Sequence, residues 1–255
     1  MGFAVFVRRV TALAAAGFLC TIASNAQTDR GSEVGAPLIE YFDTGNIGSL
    51  QSQIMSVGMD ARGLMYFGNQ AGLVEYDGTS WRVIQLPLEA PVFSMDRGID
   101  GRLYLGGFGY FGCLDTDAQG KLAVTVLSDS LAPDMRDFSR VDETHVLGDT
   151  VWYRSSEGLY YWDGSRAGVI RSDGAIRRSF AVNGRIHAVI QGKGLCVVSG
   201  AAFHLLPGGE QFSDPEENLV FMRALDERRM LVGLRVGGVQ VFDGRMWMPA
   251  WDFPS

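Results

Sequence analysis

One phrase recurs along this chain at a near-constant interval. Glu75-Tyr76-Asp77-Gly78-Thr79-Ser80-Trp81 returns as Tyr161-Trp162-Asp163-Gly164, and again as Val241-Phe242-Asp243-Gly244-Arg245-Met246-Trp247. The aspartates stand 86 and 80 residues apart, close to twice a unit of about 40 residues. A period of that size, filled with short apolar runs and turn glycines, marks the blade of a β-propeller. The expected fold class is all-β: a β-propeller of four-stranded antiparallel blades, about five of them present. A blade has no chemistry of its own, so function must lie in what the rim or the central channel touches.

Between the recurrences the same order repeats: strand, Asp/Asn/Gly turn, apolar strand, glycine-bearing turn, aromatic-ended strand, hairpin, strand. In the first unit Asp60-Ala61-Arg62-Gly63 and Asn69-Gln70-Ala71-Gly72 are the turns. Asp77-Gly78 is expected to form a two-residue hairpin with both residues at positive φ. The blades are expected at residues 40–90, 91–130, 131–175, 176–215 and 216–255. The central strands lack polar alternation because blades pack face to face and bury both sides of each sheet. The 33 glycines leave no long amphipathic helical run beyond the N-terminal segment.

Residues 1–26 are expected to be a secretory signal peptide. Arg8 and Arg9 precede an apolar run over residues 10–22, and Ser24-Asn25-Ala26 offers small residues for cleavage. That run is short for a membrane anchor. Leu19 before Cys20 argues against a lipoprotein signal, which takes a small residue there. Loss of Arg8 and Arg9 takes the formal charge from −7 to −9. Such an acidic surface repels phosphate backbones and speaks against nucleic-acid binding. No later stretch is apolar enough to span a bilayer. Cys113 and Cys196 sit in separate repeats and are expected to be buried thiols.

The residues of the repeat resemble a known family. Asp60-Ala61-Arg62-Gly63-Leu64-Met65-Tyr66-Phe67-Gly68-Asn69, followed by Gly72-Leu73-Val74-Glu75-Tyr76-Asp77-Gly78, is similar to the two-component regulator propeller repeat. Asp100-Gly101-Arg102-Leu103-Tyr104-Leu105-Gly106-Gly107 matches it too, as do Leu231-Val232-Gly233 and Gly237-Gly238-Val239-Gln240-Val241-Phe242-Asp243-Gly244. The resemblance implies a periplasmic sensor region of a bacterial signalling receptor. Family members usually continue into further blades, a tyrosine-rich immunoglobulin-like module, a membrane helix and a cytoplasmic output domain. This sequence resembles the leading part only, without the output domain.

Strand order then locates a candidate site. With strands A to D numbered outward from the axis, the A–B and C–D turns share one face, and the B–C turns and D–A crossovers share the other. The B–C turns begin at Asn69, Gly107, Arg154, Gln191 and Arg235. Asn69, Arg154, Gln191 and Arg235 could orient a ligand at a propeller mouth, or simply be solvated turn residues. Phe108 and Tyr110 lie on a glycine-rich loop and could stack on a sugar or a partner, or tuck into a neighbouring blade, as Phe111 is expected to do. Arg154 and Arg235 could fork onto a ligand carboxylate, or pair with local Asp or Glu, the commoner arrangement. Trp81 and Trp247 share an offset from the hairpins and are expected to pack between blades.

Other chemistry finds no motif. Asp115 to Gly120 lacks the distal glutamate of a calcium loop, and a zinc site would need more ligands than the cysteines and scattered histidines supply. His145, His187 and His204 have no serine elbow or metal spacing. No cofactor is expected. The leading function is an extracytoplasmic, periplasmic module sensing a small molecule, an oligosaccharide or a partner protein. The alternatives are a propeller hydrolase or lyase acting on polysaccharide, and a structural scaffold. Paired carboxylates across a cleft would favour the enzyme. An open propeller edge would favour self-association.

Overall fold

The computed structural model describes residues 53–84, 86, 90–116, 120–214 and 219–252; the N-terminal signal segment lies outside the described residues. Strands β1 (Ile54–Met59), β2 (Met65–Asn69), β3 (Gly72–Tyr76) and β4 (Trp81–Ile84) form the first sheet. The second contains β5 (Val92–Arg97), β6 (Leu103–Gly107), β7 (Phe111–Thr116) and β8 (Leu122–Val126). The third contains β9 (Glu143–Leu147), β10 (Thr150–Arg154), β11 (Leu159–Trp162) and β12 (Ala167–Ile170). The fourth contains β13 (Ile176–Val182), β14 (Arg185–Ile190), β15 (Gly194–Ser199) and β16 (Ala202–Leu205). The fifth contains β17 (Leu219–Ala224), β18 (Met230–Leu234), β19 (Val239–Phe242) and β20 (Trp247–Pro249). Each sheet is an antiparallel meander in sequence order. The protein is an all-β propeller-type fold with five such blades among the described residues, and no described helix is long and apolar enough to cross a membrane.

The first strand of each sheet packs on the first strand of the next: β1 on β5, β5 on β9, β9 on β13, β13 on β17. These strands therefore line the centre. The core lies between blades. Tyr66, Leu73, Leu103, Leu105 and Tyr110 join the first two sheets, and Phe111, Phe138, Tyr153 and Tyr160 join the second and third. Phe111 and Tyr153 stack at 4.3 Å between ring centroids. Cys113 and Cys196 are buried and form no disulfide among the described residues.

The glycine closing the second strand of the repeat permits this packing. A Cβ on Gly106 would strike Val141 and the Ser94 hydroxyl; on Gly68 it would strike Ser56 Oγ and the carbonyl oxygen of Val92. The missing side chain lets the next blade approach.

The Asp-Gly hairpins differ from expectation. Among the described non-glycine residues only Asn183 has positive φ, so Asp77, Asp163 and Asp243 do not. Their connections are four-residue loops. Asp77 Oδ1 accepts the backbone N–H groups of Thr79 and Ser80 at 2.8 and 2.7 Å. Asp163 and Asp243 repeat this with their own second and third followers. The carboxylate supplies the turn's hydrogen bonds, so only the glycine needs the left-handed region. The two-residue hairpin with paired positive φ occurs instead at Asn183-Gly184, at 50° and 68°.

Trp247 packs as expected between blades, against Phe212 at 4.9 Å, with its indole N–H donating to the Pro207 carbonyl at 2.9 Å. Trp81 does not. It stacks on Tyr76 of its own sheet at 4.3 Å and lies 5.3 Å from Phe67, on the side of the first blade turned away from the second. Register puts Val57, Met59, Met65 and Val83 on that same side.

Candidate functional site

The inner strands share a defect at one end. The register of β1, β5, β13 and β17 slips by one residue at Met55, Phe93, Arg177 and Val220. A bulge adds one unpaired residue, bends the strand and re-aims a side chain. Repeated at equivalent places, the bulges turn side chains toward the end where the inner strands begin. β10 and the crossover before β9 reach the same end. There Met55, Phe93, Arg140, Asp142, Arg154, Arg177 and Arg178 line a cavity of about 450 Å³.

Arg154 is the pivot of this site. Its side chain is only 7% exposed. Nη1 donates to Asp142 Oδ2 at 2.8 Å and Nε to Glu143 Oε2 at 3.2 Å. A guanidinium this deep requires such partners, because an unpaired buried charge is costly. The other arginines stand nearer water. Arg178 Nη1 meets Glu143 Oε1 at 3.1 Å, and Arg177 donates to Gln191 Oε1 at 2.9 Å. Arg140 pairs through Nε with Asp142 while its guanidinium carbon sits 5.1 Å above the Phe93 ring, a cation–π contact. Four guanidinium groups meet two carboxylates, so the mouth is locally positive in a chain of formal charge −7.

Below the mouth a polar chain runs along the inner strands. Ser179 Oγ donates to Glu143 Oε2 at 2.9 Å, and His145 Nε2 lies 2.8 Å from Ser179 Oγ; with the serine O–H directed at the carboxylate, the imidazole is left as the donor. Burial raises the Glu143 pKa, but the charges of Arg154 and His145 and the hydrogen bonds from Arg154 and Ser179 outweigh it, and the carboxyl lies below its ordinary value. Burial lowers the His145 pKa against the pull of Glu143 and Asp96. This is not a nucleophilic triad. The serine gives its proton to a carboxylate and receives one from the imidazole, whereas nucleophilic attack needs the imidazole to accept.

The residues singled out from sequence are placed unequally. Arg154 lines the mouth, and Gln191 reaches it by holding Arg177. Phe108 is 59% exposed and bridges the backbone of Arg140. Asn69 is buried as a turn former: Nδ2 donates to the Gln53 carbonyl at 3.0 Å, and Oδ1 accepts the Ala71 N–H at 2.8 Å. Tyr110 lies in the core between the first two blades, its ring against Gly107, and burial pushes its pKa up to about 12. Arg235 is exposed on the B–C turn of the fifth blade, outside the mouth's lining. Sequence reasoning missed Phe93, Arg140, Arg177 and Arg178. They enter through bulges and a crossover, which leave no compositional mark, although the adjacent Arg177-Arg178 pair opening a strand was a usable hint.

No protein-family model and no curated protein matches this chain. Solved structures do match in fold. The extracellular domain of the putative one-component system BT4673 from B. thetaiotaomicron superposes with a TM-score of 0.58 at 12% identity, over 84% of this chain and 33% of that one. YCF48 bound to D1 peptide gives 0.55 at 17% identity, over 79% and 69%. Streptogramin B lyase gives 0.54 at 10% identity, over 76% and 67%. The chain spans about a third of the length of the first of these.

Proposed function

We propose that this protein is an extracytoplasmic sensing module: a propeller that binds a ligand at the mouth of its central channel and passes the event on through blade packing. The observation that carries this reading is the convergence of side chains from the first four blades on one cavity, with Arg154 held by two carboxylates beneath it. A ligand there touches several blades at once. Its binding energy can therefore favour one arrangement of the inner strands over another. The structural likeness to an extracellular domain of a bacterial signalling protein supports the reading, as does the secretory character of residues 1–26. A hydrolase fits the mouth less well. Asp142 and Glu143 are both engaged by Arg154, and the lowered pKa of Glu143 keeps it ionised, so it is no general acid.

A thermal-shift screen of the purified protein against monosaccharides, organic acids and short peptides tests this reading. A compound should raise the unfolding temperature of the native protein and fail to do so when Arg178→Glu is introduced. A stabilising compound whose effect survives that substitution would move the site away from the mouth. An alkaline phosphatase fusion to the C-terminus should be active in a bacterial host, and an inactive fusion would remove the extracytoplasmic part of the reading.

A further inference from the structure

We infer that the mouth is built for a polycarboxylate anion. This rests on the mouth being the sensing site and names the chemistry it takes. Arg154 is consumed by structure, since Asp142 and Glu143 hold it from two directions. Arg140, Arg177 and Arg178 are different. Each is tethered through one nitrogen among the described residues: Arg140 by Nε to Asp142, Arg177 by Nη2 to Gln191, Arg178 by Nη1 to Glu143. A guanidinium has five N–H donors in a planar fork. One tether fixes the group in place and leaves further donors for an incoming oxyanion, which is preorganisation.

The charge count selects the ligand's charge. With Asp142 and Glu143 ion-paired inside the cluster, two positive charges remain uncompensated. A ligand carrying two carboxylates neutralises them, and one carrying a single carboxylate does not. The wall selects the rest. Met55 and Phe93, from the first two blades, add apolar surface beside the arginines of the third and fourth, which suits a carbon skeleton and does nothing for inorganic phosphate. The planar fork matches carboxylate edge-on. About 450 Å³ is more than one acetate fills and is within the range of pockets that hold small organic molecules. A free di- or tricarboxylic acid and the uronate end of an acidic oligosaccharide share this chemistry.

Isothermal titration calorimetry of the purified protein tests the inference with succinate, citrate and a galacturonic acid oligomer. Acetate, inorganic phosphate and a neutral galactose oligomer serve as comparison. At least one polycarboxylate should bind more tightly than acetate, phosphate and the neutral oligomer. Its affinity should fall with added salt and drop roughly tenfold in Arg178→Gln, the scale of losing one charged contact. The Arg178→Gln substitution removes the charge and leaves a shorter but still polar side chain, and circular dichroism checks that the fold survives. Binding of succinate or citrate assigns the source to free acids; binding of the galacturonate oligomer alone assigns it to polymer ends. The inference is overturned by a neutral oligomer that binds as well as its acidic counterpart and is weakened by Phe93→Ala, and then the mouth still senses. No binding of any of these probes, or binding untouched by both Arg178→Gln and Phe93→Ala, overturns the inference and counts against the mouth as well.

Discussion

Single side chains decide how the mouth is held and how it responds to acid. Removing the buried guanidinium in Arg154→Ala would leave Asp142 and Glu143 facing one another without their shared partner. We expect a loss of about 3 kcal/mol, read as a lower midpoint in urea at neutral pH; an unchanged midpoint would show that the carboxylates find other partners. The histidines add pH dependence. Burial, with Arg185 nearby, lowers the His187 pKa to about 4, and burial lowers His145 as well. His187 sits between Phe180 and Val197 in the fourth sheet, and its Nδ1 has no partner among the described residues. A histidine depressed in the folded state binds its proton preferentially when unfolded. Its contribution is complete above the unfolded value of about 6.5 and is lost as pH falls toward 4. Glu157 follows at lower pH. Burial raises its pKa, but hydrogen bonds from Ser155 and Ser139 bring it to about 2, so its contribution disappears as pH falls from about 4 toward 2. Urea midpoints should decline between pH 6.5 and 4 and again below 4. His187→Phe should flatten the first decline; a decline unaltered by that substitution would assign it elsewhere.

At the scale of the strand and turn, the sequence was legible where chemistry is local. The Asp-Gly recurrences announced the turns because an aspartate must supply the loop's hydrogen bonds and a glycine must take positive φ, although the exact turn differed. The glycine after the central strand was visible as pattern in the first, second and fifth units, but its reason was not. Gly68 and Gly106 face a neighbouring blade, and nothing local tells of that neighbour. The same holds for the site. Arg154 could be named because it opens a B–C turn. Arg140 and Phe93 could not, since one lies on a crossover and the other on a bulge. Likewise Tyr110 read as a loop aromatic, whereas folding turns it into the inter-blade core. Filling the contact at Gly106 tests the reading of the repeat. Gly106→Val should cost about 1–3 kcal/mol through overpacking against Val141 and Ser94. A thermal midpoint equal to that of the native protein would mean that the blades can part without penalty.

Across the whole molecule, exposed apolar side chains gather on the first and fifth blades. Val57 and Met59 are 54% and 51% exposed, and Val236 and Trp251 are 72% and 73% exposed. At the first two interior junctions the next blade approaches over a glycine of its predecessor, Val92 over Gly68 and Val141 over Gly106. Among the described residues no blade packs on the bulky side of the first blade, and the fifth carries Gly233 on the side away from the fourth. Among the described residues β17 and β1 do not pack together as successive inner strands do. We expect head-to-tail association of copies through these two sides. Sedimentation velocity should show species larger than a monomer that diminish when Val57→Lys and Met59→Lys are combined. A monomer at every concentration would refute it.

Sensing by a shift in blade packing makes its sharpest claim about where protection changes. Hydrogen exchange of the purified protein, with and without citrate, reports this strand by strand. Slower exchange should appear in β9 and β13, which carry Glu143, Arg177 and Arg178, and outer strands β4 and β8 should be unchanged. Binding detected by calorimetry with no change in β9 or β13, or with change confined to the outer strands, would contradict recognition at the mouth coupled to the inner strands.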